Sequence, residues 1–158
     1  MVIEIVKKNF PDAVVDSHAQ HGDETVIVKK EHLLEVMRFL RDDPETDFDF
    51  LIDLTAVDCM HLDRPHRFET VYHLFSLDKK RRLRVKAPVD IEDCVIDSIV
   101  SVWKAADWME REVWDLYGIK FRGHPNLKRI LMYEEFEGHP LRKDYPIKRR
   151  QPLVGPEN

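Results

Sequence analysis

Cysteine and histidine side chains in the loop DCMHLDRPHR have the chemistry of metal ligands. Cys59, His61 and His66 lie close together there. A structural zinc site takes four ligands held by a turn, whereas this loop offers three at irregular spacing. The spacing therefore favours an ordinary polar loop, with a metal-binding enzyme as the alternative.

Two further histidines have the chemistry of catalytic bases. His124 and His139 each follow a glycine and precede a proline. A histidine base needs a carboxylate that orients it and a nucleophile that it activates, and the sequence offers neither a Gly-x-Ser-x-Gly elbow nor a comparable partner. We interpret both as rigid turn residues whose ring N–H groups bind backbone carbonyl oxygens. A self-standing hydrolase using His61, His66 or His139 is the distant alternative.

The carboxylates of Glu110 and Glu112 are neighbours only in sequence. At the i, i+2 spacing two helical side chains point to different faces, so these two groups cannot share one substrate as general acid and base. The sequence therefore predicts no catalytic residue in this chain.

Cofactor-binding motifs are missing from the sequence as well. The five glycines are scattered singly, so no phosphate-binding loop for NADH or a flavin is recognisable. Cys59 and Cys94 lie far apart with no C-x-x-C motif, which is too few thiolates for a zinc site or an iron–sulfur cluster. We expect no cofactor and no metal in this chain, and two reduced thiols.

Composition limits the classes of partner. The 158 residues carry a net charge of −5 with a pI near 5.9, which gives no reason to expect nucleic acid. Near the C-terminus Tyr133, Phe136, Arg142 and Tyr145 mix aromatic and basic side chains, a pattern that we assign to a protein neighbour rather than to single-stranded nucleic acid. The N-terminal MVIEIVKKNF is too short in apolar residues for a signal or a membrane span, so membrane association is expected only through partners.

The stretch 107–146 carries the most specific signal. A helix is predicted to begin at Asp107, which would form a capping box with Glu110, and to end at Gly118 in a left-handed conformation. Its apolar stripe comprises Met109, Val113, Leu116 and Tyr117. None of the short segments that follow this helix is long enough to carry a core of its own, so they must pack on something else.

Charged side chains occupy the other faces of this predicted helix: Glu110, Arg111, Glu112 and Asp115. Arg111 is spaced to bridge Asp107 and Asp115 at i, i+4. A solvated amphipathic helix is the usual explanation of such a run.

Three blocks in this stretch resemble the signature of one family, the 30-kDa (C) subunit of respiratory complex I. They read EREVWDLYGI, GHPNLKRIL and GHPLRKDYP, in that order. Lys128 stands where arginine is usual in the family, and lysine cannot reproduce the planar fork of arginine.

The resemblance implies a subunit of the proton-translocating NADH:quinone oxidoreductase. It implies a chain without a cofactor, since the FMN and the iron–sulfur clusters of the complex are expected on other subunits. The implied partners are the D (49-kDa) subunit and its neighbours in the peripheral arm, on the cytoplasmic side of a bacterial inner (plasma) membrane. A homologous subunit of a membrane-bound nickel–iron hydrogenase or related dehydrogenase is the nearer alternative.

The same resemblance implies which residues serve docking. Internal pairing or contact with basic partners is expected of Glu110, Arg111, Glu112 and Asp115. The turns would be shaped by His124, Pro125, Arg129, Gly138, His139 and Pro140. Direct contact with the partner is expected of Arg142, Lys143, Asp144 and Tyr145. Because Arg142 lies in a proline-bounded tail, it is predicted to add nothing to the sheet, so that Arg142→Ala would weaken assembly and leave the melting temperature unchanged.

The pattern along the rest of the chain predicts an α+β fold. Helices are predicted at 2–10 and 31–42, around Val95, Ile99, Val100 and Trp103, and in the stretch from 107; strands are predicted at 13–18, 25–30, 48–56, 68–77 and 82–87. Short connections favour a mixed or antiparallel sheet with its helices on one face, followed by an extended C-terminal docking tail. Residues 1–106 would form the scaffold, 107–146 the docking segment of the same domain, and 147–158 a flexible tail.

Three details of the predicted sheet follow from the side-chain alternation. One buried face would be shared by Phe48, Phe50, Ile52, Leu54 and Ala56. The strand 68–77 is apolar on both faces, which predicts a central position. In the strand 82–87 the cations Arg82, Arg84 and Lys86 would protect a sheet edge.

Overall fold

A five-stranded mixed sheet with helices forms the centre of the structure, a computed structural model that describes residues 1–152. The α+β prediction is confirmed. In chain order the elements are α1 (Val2–Asn9), β1 (Val14–Gln20), β2 (Asp23–Val28), a 3₁₀ turn (Lys30–His32), α2 (Leu33–Asp42), β3 (Phe50–Asp58), β4 (Phe68–Ser76), β5 (Arg81–Val89), β6 (Val95–Asp97), α3 (Ala106–Tyr117) and β7 (Lys120–Arg122). Of the predicted flexible tail, residues 153–158 lie outside the described part.

The strand order is β1-β2-β5-β4-β3, in which only β2 and β5 run parallel. β4 lies inside the sheet, as its two apolar faces predict. β5 is the middle strand, so the prediction that its cations protect an edge is wrong. They pair across the sheet instead: Lys86 Nζ lies 2.7 Å from a Glu69 carboxylate oxygen on β4, and Arg84 donates to the Thr25 hydroxyl on β2 at 3.2 Å.

The apolar core lies between one face of this sheet and the helices. Along β5 the alternating Leu83, Val85 and Ala87 are buried, as period-two patterning requires. Their helical counterparts on α2 are Leu33, Val36, Met37 and Leu40. The amphipathic patterns of α2 and β5 therefore meet in one core cluster.

Strand β3 departs from the predicted alternation. A register shift between Leu51 and Asp53 places an extra residue opposite β4. Such a bulge reverses the side-chain direction on one side of it. As a result Leu51 and Leu54 are buried, whereas Phe50 and Ile52 are 52% and 40% exposed, so their predicted place on the buried face is wrong.

The helix predicted around Val95, Ile99 and Trp103 is also wrong. Val95–Asp97 forms β6, which pairs in parallel with β7. A turn follows, in which the N–H groups of Val102 and Trp103 both donate to the Ile99 carbonyl oxygen. The apolar side chains are buried as expected, but β-branched residues at a strand and a turn imitate helical spacing.

Within residues 1–152, no helix combines the length and the hydrophobicity that a bilayer crossing requires. The two cysteines are free thiols, Cys59 buried and Cys94 half-buried, and burial raises the pKa of both.

Candidate functional site

Helix α3 buries three charged side chains, Glu110, Arg111 and Asp115. A buried charge is unfavourable unless hydrogen bonds satisfy it. Each of these side chains binds a different segment of the chain, so α3 is the element on which the C-terminal part of the molecule is arranged. The prediction that these residues lie on solvated faces is wrong.

Glu110 fastens α3 to the turn after β6. One carboxylate oxygen accepts the Ser98 hydroxyl at 2.6 Å, and the other accepts the backbone N–H of Ile99 at 2.7 Å. Burial raises the pKa of this carboxyl to about 7, because these two hydrogen bonds only partly offset the loss of solvation. The predicted capping box is therefore wrong: Glu110 points inward, and α3 begins at Ala106 with no side-chain cap.

Arg111 binds the chain that follows β7. Its guanidinium donates to the carbonyl oxygens of Lys128 and Arg129 at 3.1 and 2.9 Å, and it lies over the Trp108 ring at 5.1 Å. The predicted bridge from Arg111 to Asp115 is wrong, because Asp115 has another set of donors.

Asp115 binds a whole loop through its carboxylate. The backbone N–H groups of Ile130, Leu131 and Met132 donate to one carboxylate oxygen at 3.1, 2.8 and 2.9 Å, and Arg129 donates to the other at 2.6 Å. Burial by itself raises the pKa of Asp115, but these donors outweigh it and the pKa is lowered. The group is thus an ionised, buried anchor.

Arg129 extends this anchor toward the C-terminus. Its guanidinium also donates to the carbonyl oxygens of Phe136 and Gly138 at 2.6 and 3.1 Å. The same group lies over the rings of Trp114 and Phe136. One arginine therefore joins α3, the 128–132 loop and the beginning of the last segment.

Both histidines of the His-Pro steps bind backbone carbonyl oxygens, as predicted. His139 donates from Nδ1 to the Asp115 carbonyl oxygen at 2.9 Å, and His124 donates from Nε2 to that of Asp107 at 3.0 Å. Burial, followed by the nearby Arg142, lowers the pKa of His139, which keeps its ring neutral.

Arg142 packs against the end of α3 and the start of β4. Its Nε donates to the Tyr117 carbonyl oxygen at 2.6 Å, and the guanidinium lies 5.1 Å from the centre of the Phe68 ring. The prediction that Arg142 adds nothing to the sheet is wrong. Gly118 makes room for it: a Cβ there would lie 2.5 Å from an Arg142 nitrogen and 2.6 Å from the His139 ring.

Two residues that sequence reasoning missed, Asp58 and Arg67, also reach the last segment. Asp58 ends β3, Arg67 precedes β4, and they contact Lys143 and Asp144. An Asp and an Arg on either side of a hairpin loop were a signal of pairing, but nothing in the sequence indicated contact with a segment so distant.

The remaining predicted docking residues are less involved. Glu112 and Pro125 are exposed. Pro140 is half-buried, and Gly138 adopts φ +94° beside the Tyr145 ring. Tyr145 stacks on Phe136 at 5.9 Å between ring centres.

The loop with the potential metal ligands shows no comparable arrangement. Cys59 is buried, His61 is exposed, and His66 lies 3.6 Å from Glu69. Across residues 1–152 no three His, Cys, Asp or Glu side chains come close enough to hold a metal ion.

The arrangement on α3 matches the family that the three sequence blocks resemble. A family model described as "Respiratory-chain NADH dehydrogenase, 30 Kd subunit" matches residues 26–151. The chain belongs to this family. The resemblance seen in the sequence is therefore confirmed.

Individual relatives of the 30-kDa family agree. The C-type subunit of NADH-quinone oxidoreductase from Citrifermentans bemidjiense is 50% identical over 152 residues, which are 95% of this chain and 92% of that protein. The solved structure of a trypsin-resistant fragment (1–134) of Nqo5 has a TM-score of 0.70 at 31% identity and covers 80% of this chain and 100% of that one.

A second solved structure shares the fold. It is the membrane-bound sulfane sulfur reductase, described as an archaeal respiratory membrane complex, with a TM-score of 0.75 at 22% identity and coverage of 93% of this chain and 85% of that one.

Proposed function

We propose that this chain is a structural subunit in the peripheral arm of proton-translocating NADH:quinone oxidoreductase, and that it docks against the 49-kDa (D) subunit. It would hold the quinone-reducing module together without contributing a catalytic centre. Its place would be the cytoplasmic side of a bacterial inner membrane, which it reaches only through partner subunits.

One observation carries this proposal: residues 138–152, which we name the C-terminal segment, bind α3 on one side and leave unsatisfied groups on the other. Leu141 is half-exposed and Ile147 fully exposed. The cations Lys143, Lys148 and Arg150 are exposed and have no ion pair within residues 1–152. Exposed apolar side chains beside free cations are typical of a surface that a partner covers.

Charge supports the same assignment. The C-terminal segment contains five Lys and Arg and one Asp, in a chain whose net charge is −5. Complementary charge steers two proteins together and fixes their relative orientation. The partner surface would therefore be apolar with acidic residues around it.

Accessibility to protease is consistent with a surface that is open before assembly. The Nqo5 relative is known as a trypsin-resistant fragment, 1–134, that covers 80% of this chain. The C-terminal segment here carries the exposed tryptic sites Lys143, Lys148, Arg149 and Arg150.

The chain would carry no cofactor of its own. A cysteine binds a metal or a cluster as its thiolate, and burial raises the pKa of both Cys59 and Cys94, which keeps them protonated. FMN and the iron–sulfur clusters would lie on other subunits of the complex.

A hydrogenase-type assembly and a self-standing hydrolase are less well supported. The archaeal neighbour shares the fold at 22% identity, whereas the 50%-identical relative is a subunit of NADH-quinone oxidoreductase. The rings of His124 and His139 are occupied by backbone carbonyl oxygens, which leaves them poorly placed as general bases.

The test is co-purification with the 49-kDa subunit after charge reversal. Lys143→Glu, Lys148→Glu and Arg150→Glu are combined in the tagged full chain and expected to release the 49-kDa subunit. The matched control combines Lys7→Glu, Lys8→Glu and Lys79→Glu, three exposed lysines elsewhere, and is expected to retain it. Retention by both variants would contradict docking through the C-terminal segment.

A further inference from the structure

Asp58 and Arg67 form a buried ion pair at the open end of the β3–β4 hairpin. Arg67 donates from Nε and Nη2 to the two carboxylate oxygens of Asp58 at 2.8 and 3.0 Å, a bidentate arrangement. The Asp58 side chain is fully buried. Burial by itself raises the pKa of Asp58, but Arg67 and the backbone donors outweigh it and the pKa is lowered.

This pair reaches beyond the hairpin. Asp58 accepts the backbone N–H of Lys143 at 2.7 Å, and Arg67 Nη2 lies 3.0 Å from the carboxylate of Asp144. The Met60 N–H at 2.9 Å already closes the hairpin loop on Asp58. The contacts with Lys143 and Asp144 are therefore additional to what the hairpin needs, and they connect it to the C-terminal segment.

The connection sets which side chains of the segment face outward. The N–H groups of Leu141 and Lys143 bind inward, to the Leu116 carbonyl oxygen and to Asp58, and the Arg142 side chain lies on α3 and Phe68. The side chains of Leu141 and Lys143 are consequently exposed.

We propose that Asp58 and Arg67 are positioning residues that hold Lys143 and Asp144 in place before a partner binds, so that the docking surface is preformed. This inference rests on the proposed docking function. A preformed segment loses little conformational freedom on binding, which raises affinity without any new contact. It contrasts with the expectation of a tail that becomes ordered only in the complex.

The first experiment is hydrogen exchange on the isolated full chain carrying Arg67→Gln. The amides of residues 141–145 are expected to exchange about tenfold faster, since a charge-assisted contact is lost, while those of β4 keep their rates. The affinity for purified 49-kDa subunit is expected to fall about tenfold.

A milder variant guards against a general loss of folding. Asp144→Asn removes only the contact of Arg67 with the segment and leaves the Asp58–Arg67 pair intact. Asp63→Asn is the matched control, because Asp63 is exposed in the same hairpin loop. Asp144→Asn is expected to speed exchange at residues 141–145 and weaken binding, and Asp63→Asn to do neither.

Each outcome decides between the proposals. Unchanged exchange at residues 141–145 in both Arg67→Gln and Asp144→Asn would overturn the positioning role, and so would faster exchange with unchanged affinity. If the lysine and arginine reversals disrupt the complex while these two variants do not, docking stands and only the positioning role is wrong. If those reversals leave the complex intact, the docking function itself is wrong.

Discussion

The scaffold, residues 1–106, and the C-terminal part, residues 107–152, are held together by different forces. In the scaffold, large apolar side chains such as Phe68, Tyr72 and Leu74 are fully buried between sheet and helices. In the C-terminal part, the connections to α3 run through buried charges that bind backbone groups. The first region depends on area removed from water, and the second on individual hydrogen bonds.

This difference has a consequence for function. Apolar packing is non-directional and tolerates substitution, whereas a charge bound to two or three backbone groups fixes their positions closely. A docking surface must present its side chains at defined places, so the hydrogen-bonded construction suits it. The same construction makes single substitutions in the C-terminal part more damaging than its small apolar core suggests.

Asp115→Ala should give the largest effect. It leaves Arg129 without its carboxylate and three backbone N–H groups without an acceptor, so we expect a loss of about 3–5 kcal/mol in the free energy of unfolding. Urea denaturation of the full chain measures it.

Glu112→Ala is the matched control for Asp115→Ala, since Glu112 is an exposed carboxylate on the same helix. Its effect should stay within about 0.5 kcal/mol. Equal effects of the two substitutions would contradict the view that the buried charge holds the C-terminal part.

The scaffold was largely predictable from the sequence, because its period-two and period-3.6 patterns report burial directly. β4, β5 and α2 were located within about two residues on that basis. The pattern failed where backbone geometry changed it: the bulge in β3 exposes Phe50 and Ile52, and β6 with its turn imitates a helix.

The candidate site was predictable only in part. The stretch 107–146, the end of α3 at Gly118 and the binding of backbone carbonyls by both histidines followed from the sequence. The burial of Glu110 and Asp115 did not, because a buried charge and a solvated one look alike in a sequence until their partners are known. Those partners lie in loops without periodicity, where hydrogen-bond acceptors and donors are backbone groups that every residue possesses.

Glu110 should make stability depend on pH. Its pKa rises from the ordinary 4.5 to about 7 on folding, so the folded chain binds more protons between these values and its stability falls as pH increases from about 4.5 to 7. At roughly 1.4 kcal/mol per pKa unit the loss amounts to about 3 kcal/mol.

The measurement compares the free energy of unfolding of the natural chain with that of Glu110→Gln at pH 5 and pH 8, so that other titrations cancel. The advantage of the natural chain over Glu110→Gln should shrink toward pH 8. In Glu112→Gln, where the carboxylate is exposed, no such trend is expected. A difference that is constant with pH would show that Glu110 is not the titrating group.

Gly118→Ala should be more harmful than Gly123→Ala, although both glycines have positive φ, +78° and +83°. A left-handed alanine costs about 1–2 kcal/mol at either place. At Gly118 the new Cβ would also displace Arg142 and His139, whereas at Gly123 it meets nothing within 4 Å. We expect about 2–3 kcal/mol against about 1 kcal/mol by urea denaturation, and equal values would contradict close packing of the C-terminal segment on α3.

Arg142→Ala should have the smallest effect of the four, yet a measurable one. It removes a charge-assisted hydrogen bond to the last turn of α3 and the packing over Phe68. A loss of about 1–2 kcal/mol is expected, which lowers the melting temperature by about 2–6 °C. Arg150→Ala, an exposed arginine of the same segment, should leave it unchanged. If Arg142→Ala also leaves the melting temperature unchanged, this arginine contributes nothing to the fold, and contact with the partner would be its only role.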